Sequence, residues 1–330
     1  MRPLLLLPLT LLACDVFQNE SAEWEDGWSD AWGDSGYYAP DGAQFNSDSL
    51  AARGSVWTEA RGLAPWGNAR NVWLGMGSVA CQAEFSNGAI NADVDPSDGD
   101  ETITDFWENN ILGVSPNRVF QITPEGTVVR TERVRGVVDA QLYDGGLVYV
   151  VRDPDSGQCD VGIDGDNGAW SEDAPDSVCD NPDAVTVDKS NGNVFVASNA
   201  GSKTVGASGT FEHPAQGELS ANDPAREIVY VAQASAGTLQ AWTWTGDLLW
   251  TADVGGPIQH LRANSAQGAA YVVAVSDGLR QLLKISAADG AITVLATTTS
   301  DVRDIEISAS GLRFAVSADG QATFLEIVSP

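Results

Sequence analysis

"NVFVASN" (193–199) reads as a short β-rich strand, and variants of it recur along the chain. They are "NVWLGMG" (71–77), "NILGVSP" (110–116), "LVYVVRD" (147–153), "IVYVAQA" (228–234), "AAYVVAV" (269–275) and "LRFAVSA" (312–318). Aligned on their third residue, the seven runs fall at Trp73, Leu112, Tyr149, Phe195, Tyr230, Tyr271 and Phe314, between 35 and 46 residues apart. A further strand-like run precedes most of them: "VVDAQLYDGG" (137–146), "DAVTVDKSNG" (183–192), "GELSANDPAR" (217–226), "QHLRANSAQG" (259–268) and "RDIEISASG" (303–311). Two more often follow, split by a turn, as in "LQAWTWTGDLLWTADV" (239–254) and "RQLLKISAADGAITVLAT" (280–297). Four short strands in every 40 residues or so predict a β-propeller, because a four-stranded sheet buries its faces only against neighbouring sheets.

Seven repeats predict an all-β, seven-bladed ring over residues 53–330. The last repeat has only "RDIEIS", "RFAVS" and "ATFLEIV" before the chain ends, so one strand is missing. "GSVWTE" (Gly54–Glu59) lies before the first repeat and is the candidate to complete it, pairing beside "ATFLEIV" with Val56 in a hydrophobic face. That pairing would join the two ends of the ring and remove exposed edges. A pair of sandwiches or a solenoid is the alternative architecture.

"VTVDKSNGNVFVASNAGSKTVGA" (Val185–Ala207) resembles the YVTN repeat of bacterial surface propellers, in which an Asp-containing turn precedes a V-Y-V-T-N-like strand and a G-S-x-T-V strand. The resemblance implies a propeller related in plan to WD40 rings, although Trp-Asp pairs at blade ends are missing. It implies nothing about activity.

The first 17 residues, "MRPLLLLPLTLLACDVF", form an apolar run behind a single arginine, ending at a cysteine. As a helix Pro3–Ala13 would span only about 17 Å, too short for a bilayer but right for the core of a secretory signal. "LLAC" (Leu11–Cys14) resembles the bacterial lipobox, which implies a signal peptide at 1–13 and lipidation of Cys14. Acyl chains at about 0.8 kcal/mol per buried methylene would then hold the protein to a membrane without a spanning helix. The resemblance places the protein in the cell envelope, lipid-anchored to the outer or inner membrane, and periplasmic or surface-exposed. An ordinary signal peptide cut later is the alternative. Asp15 acts as an inner-membrane retention signal in some bacteria.

Residues 14–52 read as an acidic tether rich in Trp, Gly and Ser, without a sustained core pattern. Trp24, Trp28 and Trp32 share one face at helical spacing, which suggests a short partner-binding helix. Gly27 and Gly33 disfavour it, and the segment is read as a disordered tether carrying sticky aromatics.

The 330 residues carry 17 basic and 46 acidic side chains, a net charge of −29. Such a charge repels phosphates and excludes nucleic acid as a partner class. It favours cations, basic partners or plain solubility.

Four cysteines occur. Cys159 and Cys179 flank an Asp/Gly-rich stretch and are the pair expected to form a disulfide, contributing on the order of 3 kcal/mol by loop closure. Cys81 is left as a buried thiol. None shows CxxC spacing, so zinc and redox sites are not expected.

The catalytic inventory is thin. The chain has two histidines, His213 and His260, read as ordinary polar residues in loops or strand ends. No G-x-S-x-G elbow, P-loop or H-E-x-x-H occurs. The candidate metal site is a calcium loop in "CDVGIDGDNGAWSED" (159–173), where Asp164, Asp166 and Glu172 stand at positions one, three and nine. A second acidic run, Asp93–Glu101, is similar. Solvated turns are the alternative to both, so the cofactor expectation is none or Ca2+.

The functional expectation is a lipid-anchored envelope propeller that binds an envelope protein or a small ligand and does not catalyse. A propeller enzyme of the lactonase, lyase or quinoprotein type, with a central cation or cofactor, is the alternative. A third reading rests on "TLQAWTWTGDLLWTADVGG" (238–256), which is similar to the G-x-L-x-W repeats of the lipoprotein propeller in outer-membrane barrel assembly.

Overall fold

In the computed structural model the described residues are 44–328, apart from 58–61, 66–70, 77–78, 87–89, 95–101, 108–109, 116–117, 124–126, 133–135, 144–145, 153–158, 166–169, 174–181, 189–191, 200, 207–208 and 320. Among the described residues, twenty-eight strands pair antiparallel into seven four-stranded sheets. Blade 1 contains β2 (Gly62–Pro65), β3 (Asn71–Met76), β4 (Val79–Glu84) and β5 (Ile90–Val94), and blade 2 contains β6 (Thr102–Trp107), β7 (Asn110–Ser115), β8 (Arg118–Ile122) and β9 (Val128–Glu132). Blade 3 contains β10 (Val137–Tyr143), β11 (Gly146–Arg152), β12 (Cys159–Gly165) and β13 (Trp170–Asp173). Blade 4 contains β14 (Pro182–Val187), β15 (Val194–Ser198), β16 (Ser202–Gly206) and β17 (Gly209–His213). Blade 5 contains β18 (Leu219–Asp223), β19 (Ile228–Gln233), β20 (Thr238–Thr243) and β21 (Leu248–Asp253), with a 3-10 turn at Pro224–Arg226. Blade 6 contains β22 (Ile258–Asn264), β23 (Ala269–Ser276), β24 (Leu279–Ser286) and β25 (Ile292–Thr298).

Blade 7 joins the first and last strands of the described residues: β26 (Val302–Ile307), β27 (Arg313–Ala318) and β28 (Gln321–Ile327) are completed by β1 (Leu50–Trp57) on the outside. Each blade's first strand touches the first strands of its neighbours, and β26 touches β2, so the inner strands form a closed ring. This is the expected propeller, with its expected closure. Val56 lies opposite Ala322 in the β1–β28 ladder.

Every aligned third residue falls in the second strand of its blade, where those with described side chains are buried: Leu112, Phe195, Tyr230, Tyr271 and Phe314 are fully enclosed, and Tyr149 is nearly so. Their facing differs. Phe195 packs on Val229 and Val231 of blade 5, and Tyr230 on Ala270 and Val272 of blade 6; Tyr271 likewise faces blade 7. Tyr149 instead faces back to Leu112 and Val119 of blade 2, and Phe314 back to Tyr271 and Val273 of blade 6. In blades 3 and 7 the residues that face forward are Val148 and Ala315. The sequence alignment is thus one residue out of register in these two blades, and a one-residue slip in a strand swaps its faces. Gly162, opposite Tyr149 across the sheet, leaves room for the ring; an added Cβ would come within 2.1 Å of it.

The ring's joint is reinforced. Glu326 accepts Arg53 Nε–H at 2.8 Å and Arg313 Nε–H at 3.0 Å, tying β1 to β27 across β28. The Arg313 guanidinium also lies 5.1 Å from the centre of the Phe85 ring of blade 1, within cation–π range. The chain enters this joint earlier than the boundary at residue 52. Asn46 exchanges two backbone hydrogen bonds with Thr297 of β25, at 2.8 and 2.9 Å. The Ser47 and Ser49 hydroxyls donate to the Leu295 carbonyl, and Phe45 packs on the apolar cluster between blades 6 and 7. Residues 45–49 are therefore a strap on the ring, outside the 53–330 range expected for it.

Candidate functional site: the inner strands

Five inner strands, β6, β10, β14, β22 and β26, carry a register shift near their start. Such a bulge re-aims the side chain that follows it. In β10 and β22 that residue is Asp139 and His260, and with the alternate residues beyond it reaches the next inner strand. Asp139 accepts the Val185 N–H at 2.9 Å. Gln141 both accepts from Val187 N–H, at 3.1 Å, and donates to the Val185 carbonyl, at 2.9 Å. Three blades further round, His260 Nε2 lies 3.2 Å from the Val302 carbonyl, and Asn264 donates to Ser308 O at 2.9 Å. A carbonyl only accepts, so His260 carries its proton on Nε2.

Between them Arg262 forms the centre of the belt. Its guanidinium donates to Asp304 at 2.8 Å, to Glu306 at 3.0 Å and to the Leu261 carbonyl at 3.1 Å. The negative charge of Asp139 in blade 3 also favours the Arg262 proton, less than Asp304 and Glu306 do. Burial opposes the Arg262 charge, but Asp304 and Glu306 outweigh it and hold the proton more firmly than usual. Burial pushes the Glu306 carboxyl up to about 7 against the pull of Arg262. For His260 burial lowers the pKa, partly offset by Asp304. The result is a fixed ion cluster whose donors and acceptors are engaged with one another and with strand backbone. It can hold a proton on Glu306 near neutral pH, and its first effect is to bind blade 6 to blade 7.

The other histidine has a different setting. His213 ends β17, stacked edge-on against Phe195 at 5.0 Å and Trp242 at 5.7 Å. Its Nε2–H donates to Thr243 O at 3.0 Å, and Nδ1 accepts Ala215 N–H at 3.2 Å. Both ring nitrogens are used, and burial lowers its pKa, so it is a neutral core histidine.

The metal and disulfide candidates lie elsewhere. Asp164 stands near the end of β12 opposite Leu147, and Glu172 stands in β13 opposite Val161, three strand positions from Asp164. Asp166 lies outside the described residues. Asp93 is in β5 opposite Cys81, and the rest of its acidic run is mostly outside them. Among the described residues no group of three or more His, Cys, Asp or Glu is placed to hold a metal ion. Cys159 opens β12, while Cys14 and Cys179 lie outside the described residues. Sequence reasoning did not single out the belt. Its signal is a polar residue at every second position of an inner strand, as in "DIEIS" or "HLRAN", which also describes an ordinary solvent-facing strand.

The molecule's rim has the opposite character. Phe211, Leu248, Leu249, Ile292 and Val294, all on outermost strands of blades 4–6, are between 41% and 56% exposed.

No known protein family matches the chain, and no curated protein does. Among solved structures it is similar in fold to a streptogramin B lyase, with a TM-score of 0.64 and 12% identity over 87% of this chain and 98% of that one. The fold is that of a β-propeller. A crystal structure of the mitotic checkpoint complex gives a TM-score of 0.63 with 13% identity over 91% of this chain and 98% of that one. The Neurospora crassa Pan2 WD40 domain gives 0.62 with 9% identity over 86% and 97%. At these identities the likeness carries the ring and nothing of the site. No helix among the described residues is long and apolar enough to cross a membrane.

Proposed function

We propose that this chain is a lipid-anchored envelope protein whose propeller binds a protein partner and does not catalyse a reaction. The observation that carries the reading is the state of the inner strands: Asp139, Gln141, His260, Arg262 and Asn264 are used in bonds between blades, which leaves binding to the surfaces of the ring. Similarity in fold to a WD40 domain supports a partner-binding role. The anchor rests on the "LLAC" stretch, and the 159–179 disulfide on the spacing of its cysteines. The enzyme reading draws on similarity to a lyase and on the central Arg262–Glu306 cluster.

Affinity capture from the envelope in which the protein resides tests the binding role. One defined partner, retained stoichiometrically by the wild type and by Glu306→Gln alike, is the expected result. Capture of no protein, with a bound cation or cofactor in the purified chain, would favour the enzyme. Cys14→Ser should move the protein from the membrane to the soluble fraction, and peptide mapping without reduction should return a 159–179 cross-linked peptide.

A further inference from the structure

The rims of blades 5 and 6 both carry exposed apolar side chains. On β21, Leu248 is 49% and Leu249 47% exposed; on β25, Ile292 is 41% and Val294 52% exposed. Trp250 connects the two blades, donating its indole N–H to the Ala287 carbonyl at 2.9 Å. The ring lies so close to Gly290 that an added Cβ there would sit 2.9 Å from it. Both strands are outermost in their sheets, with apolar side chains beside an open row of backbone groups. Proteins ordinarily cover or charge such edges, because they pair with any extended chain that arrives.

One end of this edge is already occupied by the protein itself. Asn46 pairs with Thr297, and the Ser47 and Ser49 hydroxyls hold Leu295 O, so the strap covers the C-terminal half of β25. The bare half, Ile292–Val294, begins one residue beyond. Upstream of the strap lie Trp24, Trp28, Trp32, Tyr37 and Tyr38, with no lysine or arginine between Asp15 and the strap. Tyr38 stands eight residues before Asn46, within about 28 Å when extended, and Trp24 within about 77 Å. We propose that the aromatic segment Trp24–Tyr38 of this same chain docks on the apolar rim of blades 5 and 6. A tether this short presents its own segment at an effective concentration in the millimolar range, which favours it over a second copy. The proposal stands apart from lipidation. It implies that an external partner reaches this rim only by displacing the segment.

The test uses the full chain and a variant with Trp24→Ser, Trp28→Ser and Trp32→Ser, which leaves the described fold untouched. Nile red emission and backbone hydrogen exchange are measured on both. The variant should show several-fold higher Nile red emission and faster exchange in β21 and at Ile292–Val294, with the rest of the ring unchanged. A synthetic peptide of residues 20–40, added at millimolar concentration, should restore protection, and Leu249→Asp in the variant should abolish that rescue. Equal emission and exchange in the two proteins would overturn the proposal. Rim protection in the full chain that is lost on dilution, with a dimer by light scattering, would also overturn it and identify a second copy as the occupant.

Discussion

The inner strands and the outer rim of this ring invert the arrangement expected of a soluble protein. At the centre, polar and charged side chains are packed and paired; at the rim of blades 4–6, Phe211, Leu248, Leu249, Ile292 and Val294 stand in solvent. The centre is polar because inner strands meet edge to edge, where backbone N–H and C=O groups have no ladder partner on that side. Asp139, Gln141, His260 and Asn264 supply those partners. The rim's apolar side chains answer no such requirement, and the docking proposed above is one that would cover them.

Substitutions can break this contrast at each level. The largest effect is expected at the joint. Deleting residues 45–57 removes both β1 and the strap, and should leave a β28 edge that aggregates, read as loss of monomer by light scattering. Deleting 18–43 removes the segment proposed to dock on the rim but none of the described fold, and should lower the melting temperature far less. Next come the buried aromatics between blades: Phe195→Ala or Tyr271→Ala should cost about 3–5 kcal/mol in denaturant unfolding. Arg262→Ala leaves Asp304 and Glu306 without their cation. Because Arg262 keeps 33% exposure in the central space, about 2 kcal/mol is expected rather than the larger cost of a sealed pair. The smallest effect is expected at the rim, where Leu249→Ser should change stability by about 0.5 kcal/mol or less.

Titration separates the belt from the joint. The Glu306 carboxyl is raised from 4.5 to about 7, so the folded protein binds its proton more tightly than the unfolded chain does. Stability from this group is present in acid and declines as pH rises from 4.5 towards 7. His260, with a lowered pKa, acts oppositely: its contribution grows as pH rises towards its ordinary value of 6.5 and is complete above it. The wild-type curve therefore mixes two signs, and the difference between wild type and Glu306→Gln isolates the falling component. Glu326, depressed chiefly by its hydrogen bond from Arg313, contributes above its ordinary 4.5 and loses that contribution in acid. A difference curve for Glu326→Gln should bend on the acid side of 4.5, and one for Glu306→Gln on the other side.

The two regions also differ in how far the sequence revealed them. Short β-rich runs located all seven second strands, and the missing strand of the last repeat pointed to residues 54–59 as its supplier. What escaped was facing. Tyr149 and Phe314 lie in the right strands, but a period of two means that a slip of one residue still falls within the strand while turning the side chain to the other neighbour. The strap escaped because its contacts are made by backbone and serine hydroxyls, which leave no hydrophobic period to read. The belt escaped because polar alternation on a strand normally signals water, and only the closed ring shows that its other side is another blade.

Ring closure by β1 is the central claim, and a paired cysteine substitution tests it most directly. Val56 and Ala322 face each other in the β1–β28 ladder, where directly opposite Cβ atoms lie about 4.5–5.5 Å apart. Under mild oxidation the Val56→Cys/Ala322→Cys protein should give a peptide joining positions 56 and 322 within one chain, and its melting temperature should rise. Both cysteines remaining free in folded protein, or joined only between chains, would contradict the closure.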